Sequence, residues 1–248
     1  MKTKHFIIGT ILLVGGMAAM AACSREETAA GTHREESAYE RMGRLHNEGL
    51  DYVLARIVAE APATKSGGRV IPPEEDIRAM CRDFALAQGE SPVPGTKGGV
   101  PSEEEAWNRF SAGQQAWLGQ AKACIFESQP GEVEALIAGL AGLEGQVQAD
   151  ASLPAVERET LLYVLAVCRY SAAYWAENAE KWQVELYGVE SLVPLRSRAS
   201  NETQHVSKEW WEKYKHLVWA DGLGGVPAED GGCYVEVATN SSIGKYLP

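Results

Sequence analysis

The chain has 248 residues, room for one large domain or two small ones. At 45% hydrophobic and 23% charged it has a globular composition, which excludes a wholly disordered chain, a collagen and a multispan membrane protein. A formal charge of −11 makes an acidic surface that repels phosphate backbones, so no nucleic acid is expected as a partner.

Lys2, Lys4 and His5 form a basic start, Phe6 to Val14 (FIIGTILLV) is apolar, and Met20-Ala21-Ala22 supplies small residues before Cys23. Gly15 and Gly16 stop the apolar run well short of the roughly 20 residues that a membrane span takes, so residues 1–22 read as a signal peptide. Small residues directly before a Cys, followed by a polar stretch, resemble the lipobox of bacterial lipoproteins. The resemblance implies cleavage before Cys23, a diacylglyceryl group on its sulfur and an acyl chain on its new amine. The partner is then a lipid bilayer, expected to be the outer membrane. Ordinary secretion without a lipid is the alternative. Loss of Lys2 and Lys4 leaves 21 basic against 34 acidic residues, a net −13. Residues 23–36 lack apolar periodicity and read as a solvated tether. Its Ser24-Arg25-Glu26-Glu27 is similar to the surface-export signal of Bacteroidetes lipoproteins, and a plain tether on the periplasmic face is the other reading.

From residue 37 the pattern turns helical. Leu50, Val53, Leu54, Ile57, Val58 and Ala61 keep the spacing of an amphipathic helix, extended upstream by Met42 and Leu45 and closed by Pro62. Pro72-Pro73 followed by Glu74, Glu75 and Asp76 starts a second helix, with Ile77, Met80, Cys81 and Phe84 on its buried face. Residues 89–101 are a breaker-rich loop. Ser102 and Glu105 form a capping box that opens a third helix, with a stripe of Trp107, Phe110, Trp117, Ala121 and Cys124. Pro130-Gly131 precedes a fourth, 132–149. The longest run, 154–187, is apolar over a wide arc that includes Leu161, Val164, Leu165, Cys168, Trp175 and Trp182, so a central place is expected. A last helix is read over 203–219, and Tyr234 to Val237 carries the one strand signal. The expectation is an all-α bundle of five or six helices over 37–221, with a Gly-rich irregular tail at 222–248.

The candidate chemistry starts at His46-Asn47-Glu48-Gly49-Leu50-Asp51-Tyr52. His46 lies on the apolar side, 4, 3 and 4 residues along the series Leu50, Val53 and Ile57. Asn47 and Asp51 sit one turn apart beside it. The cluster reads either as the mouth of a groove, completed by Tyr170 or Tyr174, or as a packed helix crossing at which Gly49 permits close approach. Trp210 and Trp211 are the candidate glycan-stacking pair, because consecutive helix positions point about 100° apart and both cannot face one core stripe. The other reading has them covering the end of the bundle.

The His46–Tyr52 run, the stretch Tyr170-Ser171-Ala172-Ala173-Tyr174-Trp175 and the segment Trp219-Ala220-Asp221 resemble a group of uncharacterised exported helical lipoproteins of Bacteroidetes type. The resemblance implies an origin and a compartment, and no activity. The chain departs from that group over Gly222 to Pro248.

No His-Glu-x-x-His, Cys-x-x-Cys, Gly-x-Ser-x-Gly or Walker pattern occurs, and His33, His46, His205 and His216 are scattered. No metal or cofactor is therefore expected. Cys81, Cys124, Cys168 and Cys233 read as buried thiols, although an oxidising compartment permits bridges. Two functions stand at this point. One is a membrane-anchored binding or interaction domain for a protein or glycan. The other is an envelope hydrolase or lyase that uses His46 with carboxylates of the long helix, such as Glu177, Glu180 and Glu185.

Overall fold

The computed structural model describes residues 36–65, 67–90, 102–188, 208–224 and 234–246. Eight helices are found among them, with no strand beyond an isolated antiparallel bridge between Ala63 and Arg69. The architecture is the all-α bundle read from the sequence, with more helices than the five or six expected.

Helix α1 (Ala38–Glu60) begins where Ser37 Oγ accepts from the Glu40 N–H and ends ahead of Pro62. Its buried face is the periodic series from Met42 to Ile57, with His46 inside it. Helix α2 (Glu74–Ala87) follows Pro73 with three acids in its first turn, where the helix dipole favours negative charge. Ser102 and Glu105 do form a capping box, but the helix they open, α3 (Glu103–Trp107), is only five residues long. A second capping box, Ser111 with Gln114, restarts the chain as α4 (Ala112–Glu127). This break corrects the single helix expected here and shifts its phase. Gln114, Leu118, Ala121 and Ile125 are buried, while Trp107, Trp117 and Cys124 are only half-buried. Helix α5 (Val133–Ala149) buries Leu136, Leu140, Leu143 and Val147.

Helix α6 (Ala155–Tyr187) has 33 residues, about 50 Å of rod. It is the axis of the bundle. Its wide apolar arc packs against α1 on one side, α5 on another and α7 (Lys208–Gly224) on a third. Helix α7 runs past the expected end at 219 because α8 (Tyr234–Tyr246) covers it. The expectation of an irregular tail is thus corrected for residues 222–224 and 234–246, and the strand signal at Tyr234 to Val237 falls within a helix. Tyr-Val-Glu-Val alternates like a strand locally, yet Ala238, Ile243 and Tyr246 reach the core from one helical segment, and docking on α1, α2 and α7 decides the conformation.

Two glycines mark close helix crossings. A Cβ on Gly49 would lie 2.7 Å from Thr239 Oγ1 and 3.2 Å from the Phe84 ring, so the close approach expected there brings in α8 and α2. A Cβ on Gly222 would collide with Cys168 Sγ and lie 3.2 Å from the Val164 carbonyl, where α7 crosses α6. Gly222→Ala is accordingly expected to cost about 1 to 3 kcal/mol by overpacking. Adding Cys168→Ala removes the sulfur and recovers part of that loss in a double-mutant cycle. A single mutant with the parental melting midpoint would contradict this crossing.

Cys81 and Cys168 are buried and Cys124 is half-buried. Burial, and then the neighbouring Asp221, push the Cys168 thiol well above its ordinary range. Cys233 lies outside the described residues, as do Cys23 and, Glu36 apart, the leader and tether read over 1–36.

Candidate functional site

The sequence places His46, Asn47 and Asp51 together on one stretch of α1. The fold divides them. His46 and Asn47 enter a buried polar junction of α1, α6, α7 and α8, whereas Asp51 stays at the surface.

Asp221 is the centre of the junction. Both His46 and Asp221 are 0% exposed, with His46 Nε2 3.5 Å from Asp221 Oδ2. The same oxygen accepts from Ser171 Oγ at 2.5 Å, Ser242 Oγ at 2.8 Å and Trp175 Nε1 at 3.2 Å. Trp175 Nε1 also donates to Ser242 Oγ at 3.0 Å. On the other side of the ring, His46 Nδ1 lies 3.0 Å from Asn47 Oδ1, and Asn47 Nδ2 donates to the Tyr170 carbonyl at 3.1 Å. The junction thus brings one buried residue or more from each of three other helices to a single carboxylate on α7. Asp221 was named only within the Trp219-Ala220-Asp221 resemblance and not as a site residue. One signal was available: it continues the Tyr214, Leu217, Val218 stripe of α7, and a charge on an apolar stripe is buried with partners or not at all.

The chemistry this arrangement can perform is limited by its donors. Ser171 and Ser242 point their hydroxyls at the carboxylate and not at His46, so no serine is paired with a histidine base. Glu177 and Glu180 are exposed on α6 and Glu185 is half-buried near its end, and no bond joins them to the junction. Among the described residues no group of three or more His, Cys, Asp or Glu is placed to hold a metal ion.

A second chain of polar contacts runs outward. Trp182 Nε1 donates to Tyr174 Oη at 2.9 Å, Tyr174 Oη donates to Asp51 Oδ1 at 3.2 Å, and Lys181 Nζ pairs with the same Asp51 oxygen at 3.1 Å. Burial holds the Tyr174 phenol far above its ordinary range, so it serves only as a neutral donor and acceptor. Tyr170 is half-buried, with Arg169 over its ring, and takes part in the junction through its carbonyl alone.

Trp210 and Trp211 are 5% and 1% exposed. The expectation that one of them reaches the surface is corrected. Trp211 stacks on Tyr214 and donates to the Ser128 carbonyl after α4, while Trp210 faces Tyr246 on α8. Two neighbouring helix positions are both covered because α7 packs against α3, α4, α6 and α8.

The surface offers one feature that the sequence does not announce. A groove of about 410 Å³ opens between the end of α1, the link that follows it and α2. Pro62, Val70, Ile71, Pro72 and Met80 give it an apolar lining, and Arg56, Glu60, Asp76 and Asp83 add charges. Val70 is 51% exposed there. Backbone bonds from Val70 N to Pro62 O and from Thr64 N to Gly68 O brace the link, and Arg56 bonds both Glu60 and Asp83. These residues follow no binding motif, so no signal in the sequence marks them. No helix among the described residues is long and apolar enough to cross a membrane. No family model, curated protein or solved structure matches this chain.

Proposed function

We propose that the chain is a membrane-anchored lipoprotein of the bacterial outer membrane whose helical bundle is a non-enzymatic binding or interaction domain. The observation that carries the non-enzymatic part is the burial of His46. The ring and the carboxylate 3.5 Å from it are both fully buried among helices α1, α6, α7 and α8, so a substrate has no approach to them. A histidine used for hydrolysis or elimination must reach the proton it moves. The anchor rests on the run from Lys2 to Cys23 and on the polar stretch that follows it. More than one acyl chain makes such anchoring stable, at about 0.8 kcal/mol for each buried methylene. The braced groove beside Val70 is the surface offered to a protein or glycan ligand.

Two measurements test the reading. Cys23→Ser is expected to abolish incorporation of labelled palmitate and to move the protein from the membrane pellet to the soluble fraction. A variant that still pellets after a high-salt wash contradicts the anchor. For the binding part, the domain is crosslinked to envelope extract. Val70→Asp, an exposed position, is expected to abolish the crosslinked species without changing the melting midpoint. Retention of every adduct by that variant removes the groove from the proposal.

A further inference from the structure

The groove beside Val70 carries a charge pattern that narrows its ligand. Its charged residues are Arg56, Glu60, Asp76 and Asp83, three carboxylates against one guanidinium. The guanidinium is fully engaged within the protein: Nε and Nη2 bond the two oxygens of Glu60 at 2.8 and 3.2 Å, and Nη1 bonds Asp83 Oδ2 at 2.8 Å. Asp76 is the opposite case. It is exposed in the first turn of α2, and its carboxylate has no hydrogen bond or ion pair among the described residues. The groove therefore presents an unmatched acid and withholds its cation, on a protein whose formal charge is already −11.

The uncharged lining is apolar and partly preset. Pro62, Pro72 and Pro73 have fixed φ, and the Val70 N–H bonds the Pro62 carbonyl at 2.9 Å, so little backbone freedom is lost when a ligand enters. Met80, 6% exposed, closes the groove on the α2 side with an adaptable side chain. No aromatic ring lines it, which leaves a sugar no flat face to stack on. Apolar surface also continues beyond it. The Arg69 N–H bonds the Leu186 carbonyl at 2.8 Å and so sets the link against the end of α6, where Val184 and Tyr187 are exposed. With Val70 they are three of the five large hydrophobic side chains exposed among the described residues. Their gathering at one end of the bundle marks an interaction surface, which scattered residues would not.

We propose that the groove takes a short peptide segment of a partner protein in which a Lys or Arg adjoins apolar residues. The cation meets Asp76, and the apolar side chains lie over Val70, Ile71 and Met80. This rests on the reading of the groove as the binding surface and narrows its ligand from protein or glycan to a cationic peptide. A long basic side chain suits both parts of the lining, because its methylene stem covers apolar surface while its charged head reaches a carboxylate at the rim. A groove of about 410 Å³ admits a few side chains and not the face of a folded domain.

Titration of the ¹⁵N-labelled full chain with the end-blocked hexapeptide Gly-Lys-Leu-Lys-Val-Gly tests this. Amide shifts are expected at Glu60, Ala61, Val70, Ile71, Asp76 and Met80 and not over residues 133–149 in α5. Raising the salt concentration weakens the binding, and the same peptide with Glu for Lys leaves the groove unshifted. Asp76→Asn, at an exposed position that leaves the rest of the spectrum in place, is expected to weaken binding at least about threefold, the size of one exposed ion pair. Equal affinity of parent and variant, or equal shifts from the Glu peptide, overturns the proposal. So does a groove that shifts with maltohexaose and not with the Lys peptide, or one that shifts with the concentration of the chain alone, since the occupant is then a glycan or a second copy. The reading beneath it fails separately. If no Lys-peptide shift is seen while Val70→Asp still abolishes the envelope adducts, the groove binds and only the peptide class is wrong; if Val70→Asp keeps every adduct, the groove is not the surface.

Discussion

Trp175→Ala is expected to lower the unfolding free energy by about 3 to 5 kcal/mol. The indole is fully buried at the middle of α6 and is the point where three kinds of contact converge. Its ring stacks on Tyr246 at 4.8 Å with 12° between planes, meets Tyr174 edge-on at 5.5 Å and lies against Trp182 at 5.4 Å. Removing it opens a cavity that the surrounding rings cannot collapse to fill, because each of them is bonded elsewhere: Tyr174 to Asp51, Trp182 to Tyr174 and Tyr246 to the Ala179 carbonyl. It also withdraws the Nε1 donor from Asp221 and Ser242. Trp175→Phe keeps most of the packing and loses the donor, so its cost should fall nearer 1 to 3 kcal/mol, about that of an unmade buried hydrogen bond. Urea unfolding followed by circular dichroism, with the slope unchanged between variants, measures both. Equal losses for Ala and Phe would mean that the hydrogen bond and not the packing dominates.

Asp221→Ala is expected to cost a similar amount, about 3 to 5 kcal/mol, for a different reason. Deleting the carboxylate leaves Ser171, Ser242 and Trp175 without their acceptor, all of them out of reach of water. Asp221→Asn retains an oxygen for the three donors and loses the charge, so it should be the milder change, about 1 to 3 kcal/mol. Thermal and urea melts of the two variants side by side provide the check. A harmless Asp221→Ala would show that the junction is not a bonded unit.

Most of the bundle is legible in the order of the residues. The bounds of α1, α5 and α6 come within a residue or two of those read from periodicity, because each presents a long apolar stripe with a capping residue or proline at its start. The division of α3 from α4 is written in the chain as well, in the second box at Ser111 and Gln114, but the aromatic residues Trp107, Phe110 and Trp117 happen to match one continuous stripe across it. Helix α8 is not legible in this way. Its buried surface is made largely of Thr239, Asn240, Ser241 and Ser242, residues that on their own read as loop, and only the neighbouring helices give them a place inside.

The site divides in the same way. The sequence by itself determined that His46 faces the core, since its spacing to Leu50, Val53 and Ile57 is a property of one helix. It determined too that Gly49 invites a close neighbour. Local periodicity carries no information on what lies across a helix crossing, so the partner of His46 was decided by tertiary structure alone. Asp221 is 175 residues further along the chain, Ser242 lies on a helix packed against α1, α2 and α7, and Asp51, one turn from Asn47, is drawn away to Lys181 on α6. Burial of a polar cluster depends on every surface closing around it, and here that takes four helices at once.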